Sequence, residues 1–173
     1  MNNRNVLITE DSSGRKIVVL PQIIFKGKRT IPWNKVEDYL MQYVGEIVEV
    51  TETKDIVYIG KDFADEFAGS KYTRNLKGIL AKTKANMAQG IPEMVEIASQ
   101  KRWSQDYEQK HGKKATNGWY RYNSRFALPV INEDGEIERY NVYQAVLIVR
   151  CASDEKLYLY DVQNIKKEAC NPS

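Results

Sequence analysis

The stretch Trp119-Tyr120-Arg121-Tyr122-Asn123-Ser124-Arg125-Phe126-Ala127-Leu128-Pro129-Val130 decides how this chain is read. Two further runs rich in β-branched and aromatic residues follow it, Ile137 to Arg150 and Leu157 to Ile165. That composition suits a pleated, half-buried surface, and all three runs read as strands. Asn132-Glu133-Asp134-Gly135 links the first pair and Ala152 to Glu155 the second, both short and turn-like. Short links join antiparallel neighbours, so a C-terminal antiparallel β-meander is predicted. Hairpins in place of helical crossovers put the chain in the α+β class, with N-terminal strands and helices first and helices packed on one face of the sheet.

Upstream of the meander the period changes. From Asp62 to about Lys101 it is helical, with Leu76, Ile79, Leu80, Thr83 and Met87 on one side and Lys71, Arg74, Lys77, Lys82 and Lys84 on the other. Gly90 is expected to close this helix and Pro92 to open the next. Earlier still, Val6 to Thr9 and Lys16 to Leu20 flank a Gly14 turn and form one predicted hairpin; Ile47 to Val50 and Asp55 to Ile59 form a second. Pro32 opens a short amphipathic helix between them, which Gly45 stops. At 173 residues the chain is one compact domain, or an α+β domain over 55–173 preceded by an extension or subdomain over 1–54.

Composition excludes several classes. Hydrophobic residues make up 42% and charged residues 28%, with a net charge of only +3, which is too balanced for a disordered polyelectrolyte. No run approaches the roughly 18 apolar residues of a membrane span, and the N-terminal residues have no apolar signal core, so a cytoplasmic protein without membrane partners is expected. Two cysteines cannot build a disulfide framework, and a single histidine without CxxC or HxxxH spacing argues against structural zinc. Asp62, Asp65 and Glu66 sit where acidic side chains complement a helix dipole. No phosphate-cradling glycine loop is present, so no metal and no cofactor is expected.

The positive charge is segregated. Residues 71–126 hold 12 basic and 4 acidic side chains, whereas both flanking segments are net acidic. This is the footprint of a polyanion partner, although lysines on a solvated helix face give the same count. The densest patch runs through Lys110, His111, Lys113 and Lys114 into the Trp119 strand. There Trp119, Arg121, Asn123 and Arg125 share one face and Tyr120, Tyr122, Ser124 and Phe126 the other. Guanidinium groups two residues apart suit phosphate oxygens, and tyrosines stack bases; equally, the aromatics can be the buried face and the arginines the solvated one. His111 is the one side chain that titrates near neutrality, and metal-free RNA cleavage needs such a proton carrier beside positive charge. Tyr160 on the last strand offers a hydroxyl, or a core aromatic.

Tyr58-Ile59-Gly60-Lys61-Asp62-Phe63, Lys82-Thr83-Lys84-Ala85-Asn86, Lys110-His111, Gly118-Trp119-Tyr120-Arg121-Tyr122 and Tyr158-Leu159-Tyr160-Asp161 together carry a resemblance. Over about residues 55 to 168 the chain resembles proteins of bacterial mobile elements and phages whose C-terminal regions look like the barnase, EndoU, colicin and RelE-like nuclease superfamily. The resemblance implies two helices followed by a curved antiparallel sheet and toxin-like, metal-independent RNA cleavage. It implies His111 as the histidine, Arg121 as the phosphate-binding residue and Tyr160 or Ser124 as the late hydroxyl. The expected function is therefore an RNA-cleaving, nuclease-like domain with His111, Arg121, Ser124 and Tyr160 in the catalytic set. Lys71, Arg74, Lys77, Lys82, Lys84, Lys110, Lys113, Lys114, Tyr122 and Arg125 would hold the nucleic acid. The alternative is a non-catalytic module that binds nucleic acid or an acidic protein partner through the same basic surfaces.

Overall fold

The computed structural model describes residues 4–27, 29–104 and 118–169. Strand β1 (Leu7–Glu10) and β2 (Lys16–Val19) form the first hairpin, helix α1 (Trp33–Leu40) follows, and β3 (Ile47–Glu49) with β4 (Ile56–Tyr58) form the second. Helices α2 (Lys61–Gly69), α3 (Lys71–Asn75), α4 (Ile79–Met87) and α5 (Ile91–Glu96) lead into β5 (Ser99–Ser104). The meander is β6 (Trp119–Ile131), β7 (Ile137–Cys151) and β8 (Leu157–Lys167), antiparallel throughout. The fold is α+β. All eight strands join one curled mixed sheet in the order β1-β2-β6-β7-β8-β4-β3, with β5 also on β6. Residue 54 lies in the turn between β3 and β4, and the sheet takes strands from both sides of it. Among the described residues no helix is long and apolar enough to cross a membrane.

One sheet face carries the core. Tyr122, Phe126 and Leu128 of β6 meet Tyr143, Ala145, Leu147 and Val149 of β7 and Leu159 and Val162 of β8, and α2, α4 and α5 close over them with Phe63, Phe67, Ala85, Met87 and Met94. Phe126 and Tyr143, directly opposed in the ladder, stack with ring centroids 5.2 Å apart. Gly90 makes a close approach possible: a Cβ there would stand 2.7 Å from Leu20 Cδ2, so a larger residue would force the Leu20 side chain to shift where the turn before α5 presses against the chain just after β2.

Two departures from the sequence pattern matter for function. The basic helix is not continuous. Ser70 caps α3 by accepting from the Thr73 amide, and Gly78, at φ +63°, separates α3 from α4. That break resets the helical phase, so Ile79 is 71% exposed while Thr83, Lys84, Ala85 and Asn86 are all buried. Second, residues 99–104 form a strand where a helix end was expected. Its ladder with β6 runs Ser104 to Trp119, Trp103 to Tyr120 and Arg102 to Arg121, then slips at Gln100, whose φ is +55°.

Candidate nucleic-acid interface

The register assembles a second, polar face on the sheet. Arg121, Asn123 and Arg125 alternate along β6, and their partners on β7 are Ile148, Val146 and Gln144. Arg102 stands directly opposite Arg121 on the other side. Directly opposed side chains on an antiparallel pair have Cβ atoms roughly 5 Å apart, and like charges there repel. Among the described residues neither guanidinium has a carboxylate within ion-pair distance; Arg102 Nη1 donates to the Gln100 carbonyl, at 3.0 Å. Two permanent positive charges thus lie side by side on an open strand pair.

Beyond them the face opens into a groove of about 1000 Å³ lined by Asn123, Arg125, Gln144, Asn164, Lys166 and the Gln100 edge, with Arg15 and Lys16 of the first hairpin at its far end. Arg125 itself is neutralised: its Nε and Nη2 hold Glu168 at 2.7 and 2.9 Å, and Nη1 lies 3.0 Å from Asp11. At the opposite end a row runs Trp119, Arg150, Tyr158, Tyr58 across four strands. Arg150 lies over the Tyr158 ring at 4.3 Å and 3.8 Å from Asp62, and the two tyrosine rings are 5.6 Å apart.

These contacts sort the sequence candidates. Lys84 is not on a basic face; it is fully buried, with Nζ 2.8 Å from Asp161 and 2.6 Å from Thr73 Oγ1, because the α4 phase turns it inward. Tyr122 is no stacking platform: it lies in the core and donates its hydroxyl to Asp55 at 2.6 Å. Ser124, on the same core face, donates to the Met94 carbonyl at 2.8 Å. It does not face Arg121. Tyr160 packs edge-on against Trp119 at 4.9 Å in a small apolar cluster with Ile148, and burial with the nearby Glu66 carboxylate pushes its hydroxyl well above the ordinary tyrosine range. A hydroxyl so held is a poor proton donor at neutral pH. Lys71, Arg74 and Lys77 are exposed and Lys82 half-buried, with no ion pair among the described residues. His111, Lys110, Lys113 and Lys114 lie outside the described residues.

Arg102, Gln100, Gln144, Asn164 and Lys166 were not singled out by sequence pattern. The one signal for Arg102 was its membership of the basic middle segment. No protein-family model matches this chain, and no curated protein matches it in sequence. Among the described residues no group of three or more His, Cys, Asp or Glu side chains is placed to hold a metal ion.

The Arg125 cluster makes a pH prediction. The Arg125 hydrogen bond, opposed by burial, holds the Glu168 carboxyl below its ordinary value. A carboxylate lowered on folding contributes stability above its unfolded pKa, about 4.3, and that contribution is lost as pH falls through the folded value. Urea unfolding of Glu168→Gln against the unsubstituted protein should therefore show a gap near neutrality that closes in acid. A gap independent of pH would deny the pairing.

Proposed function

We propose that this protein binds single-stranded RNA along the polar face of its sheet, with Arg102 and Arg121 receiving the phosphate backbone. The single observation that supports this is the directly opposed guanidinium pair, which has no carboxylate partner among the described residues. Three other cations of the sheet are answered by acids: Lys101 by Asp55, Arg125 by Glu168 and Asp11, Arg150 by Asp62. Arg102 and Arg121 have no acid partner among the described residues, and a repulsive pair without a counter-charge gains most from an anion between its members. Fluorescence anisotropy with a labelled single-stranded RNA over a salt series tests the proposal. Affinity should fall steeply as salt rises, since each neutralised phosphate releases counterions. Absence of any salt-sensitive association would sink it.

Cleavage is the second reading, and one observation favours it. Residues 105–117, which carry His111, connect β5 to β6, the two strands that bear the arginine pair. An imidazole tethered there would have the charge-stabilising partner that phosphodiester transfer needs. His111→Ala should then abolish cleavage in chelator-containing buffer while leaving both RNA affinity and the melting transition unchanged. Cleavage unaltered by that change would leave binding alone.

A further inference from the structure

The groove, whose wall also holds Glu52 and Glu96, contains a belt of carboxamides, one from each of four adjacent strands: Gln100 on β5, Asn123 on β6, Gln144 on β7 and Asn164 on β8. Gln100 and Asn164 share a backbone peculiarity. Their φ angles are +55° and +52°, a left-handed conformation that costs free energy in any residue other than glycine. Each coincides with a register slip, β5 against β6 between Ser99 and Arg102, and β7 against β8 between Gln144 and Val146. A β-bulge re-aims the side chain it carries, and here two bulges on opposite sides of the groove bring amides to the same concavity.

The amides are oriented but not saturated. Asn123 Nδ2 donates to Gln100 Oε1 at 2.9 Å. A carboxamide offers two donors and two acceptor lone pairs, so the Asn123–Gln100 bond leaves Asn123 Oδ1, its second N–H and both Gln100 N–H groups available. Adjacent donor and acceptor on a planar group is the pattern that pairs with the edge of a nucleobase, as Asn and Gln do with adenine. In single-stranded RNA those edges are unpaired and open to such contacts.

We infer that the amide belt of Gln100, Asn123, Gln144 and Asn164 is a nucleobase-reading site, which gives the groove a base preference that the flanking arginines do not supply. This rests on the reading of the groove as an RNA interface. Phosphate contacts fix register and carry no sequence information, whereas amides bonded to base edges do.

The test compares homopolymer RNAs of adenine, uracil and cytosine with a strand of the same length made abasic, using the full chain. The protein should bind at least one homopolymer about ten-fold more tightly than the abasic strand, a difference of about 1.4 kcal/mol. Gln100→Gly and Asn164→Gly remove the amides while keeping a residue at ease with positive φ, so folding is preserved; Asn123→Ala removes the central one. Each should bring the preferred strand toward abasic affinity with the salt slope unchanged, because Arg102 and Arg121 remain. Base-indifferent binding, or a preference surviving all three substitutions, overturns the amide belt and leaves the RNA interface standing. Failure to bind any strand, abasic included, overturns both.

Discussion

Replacing either Lys84 or Asp161 alone will destabilise the protein by about 3–5 kcal/mol, the usual cost of stranding one member of a buried ion pair. Both side chains are 0% exposed. Lys84 Nζ has Asp161 at 2.8 Å and Thr73 at 2.6 Å, and sits over the Phe67 ring at 4.5 Å and the Tyr72 ring at 5.1 Å. Asp161 also accepts from the Val162 amide and from Gln163 Nε2. Burial pushes the Lys84 ammonium below its ordinary pKa, against the attraction of Asp161, so the charge is tolerated only because the carboxylate is present. Lys84→Met leaves an unanswered carboxylate, and Asp161→Asn an unanswered ammonium. Against a total stability of about 5–15 kcal/mol, either loss is large. Lys84→Met combined with Asp161→Leu should recover much of it, since apolar pairs of similar volume often replace buried ion pairs at little cost. Urea midpoints for the two single variants and the double variant form the measurement; single losses under about 1 kcal/mol would contradict the burial. Because Lys84 meets no solvent, RNA affinity of folded Lys84→Met should be unaltered, which separates this lysine from the arginines of the sheet.

The meander was legible because β6, β7 and β8 are long runs rich in β-branched and aromatic residues, and their turn residues fix the links. Strand β5 states nothing of the kind. Ser99-Gln100-Lys101-Arg102-Trp103-Ser104 has no alternating apolar side and follows a helical stretch, so only its pairing with β6 makes it a strand. With β5 hidden, the partner of Arg121 was hidden too. Lys84 was misplaced for a related reason: counting at 100° per residue through Gly78 assumes one helix, and a single left-handed residue cancels the phase. Its counter-charge lies 77 residues away on β8, beyond the reach of any local pattern. Arg121, Asn123 and Arg125 could be put on one face from spacing alone. That Arg125 is already held by Glu168 and Asp11, and that Gln100 and Asn164 turn inward at bulges, required the tertiary register.

Truncating the arginine pair should move stability and binding in opposite directions, a signature that a purely structural role would not give. Arg102 and Arg121 are cross-strand neighbours without a counter-charge among the described residues, so Arg102→Ala removes repulsion and is expected to stabilise the free protein by a few tenths of a kcal/mol, within the roughly 0.2–1 kcal/mol span of such pairs. The same change deletes one phosphate contact. For a single strand the slope of log affinity against log salt should shrink by about 0.7 per contact removed, and by about 1.4 in the Arg102→Ala, Arg121→Ala double variant. Charge reversal goes further. Arg102→Glu with Arg121→Glu puts two carboxylates where phosphate must sit, and affinity near physiological salt is expected to fall at least about 100-fold, or about 2.7 kcal/mol. Lys71→Glu with Arg74→Glu on α3 is the matched control for net charge, because it makes the same change of four units at exposed positions outside the groove. If the two double reversals weaken binding equally, the protein acts on RNA only through its overall field, and the sheet face has no special claim. A large loss confined to the Arg102 and Arg121 variant, together with a free protein no less stable after Arg102→Ala, is the result that an anion site bridging two repelling guanidinium groups requires.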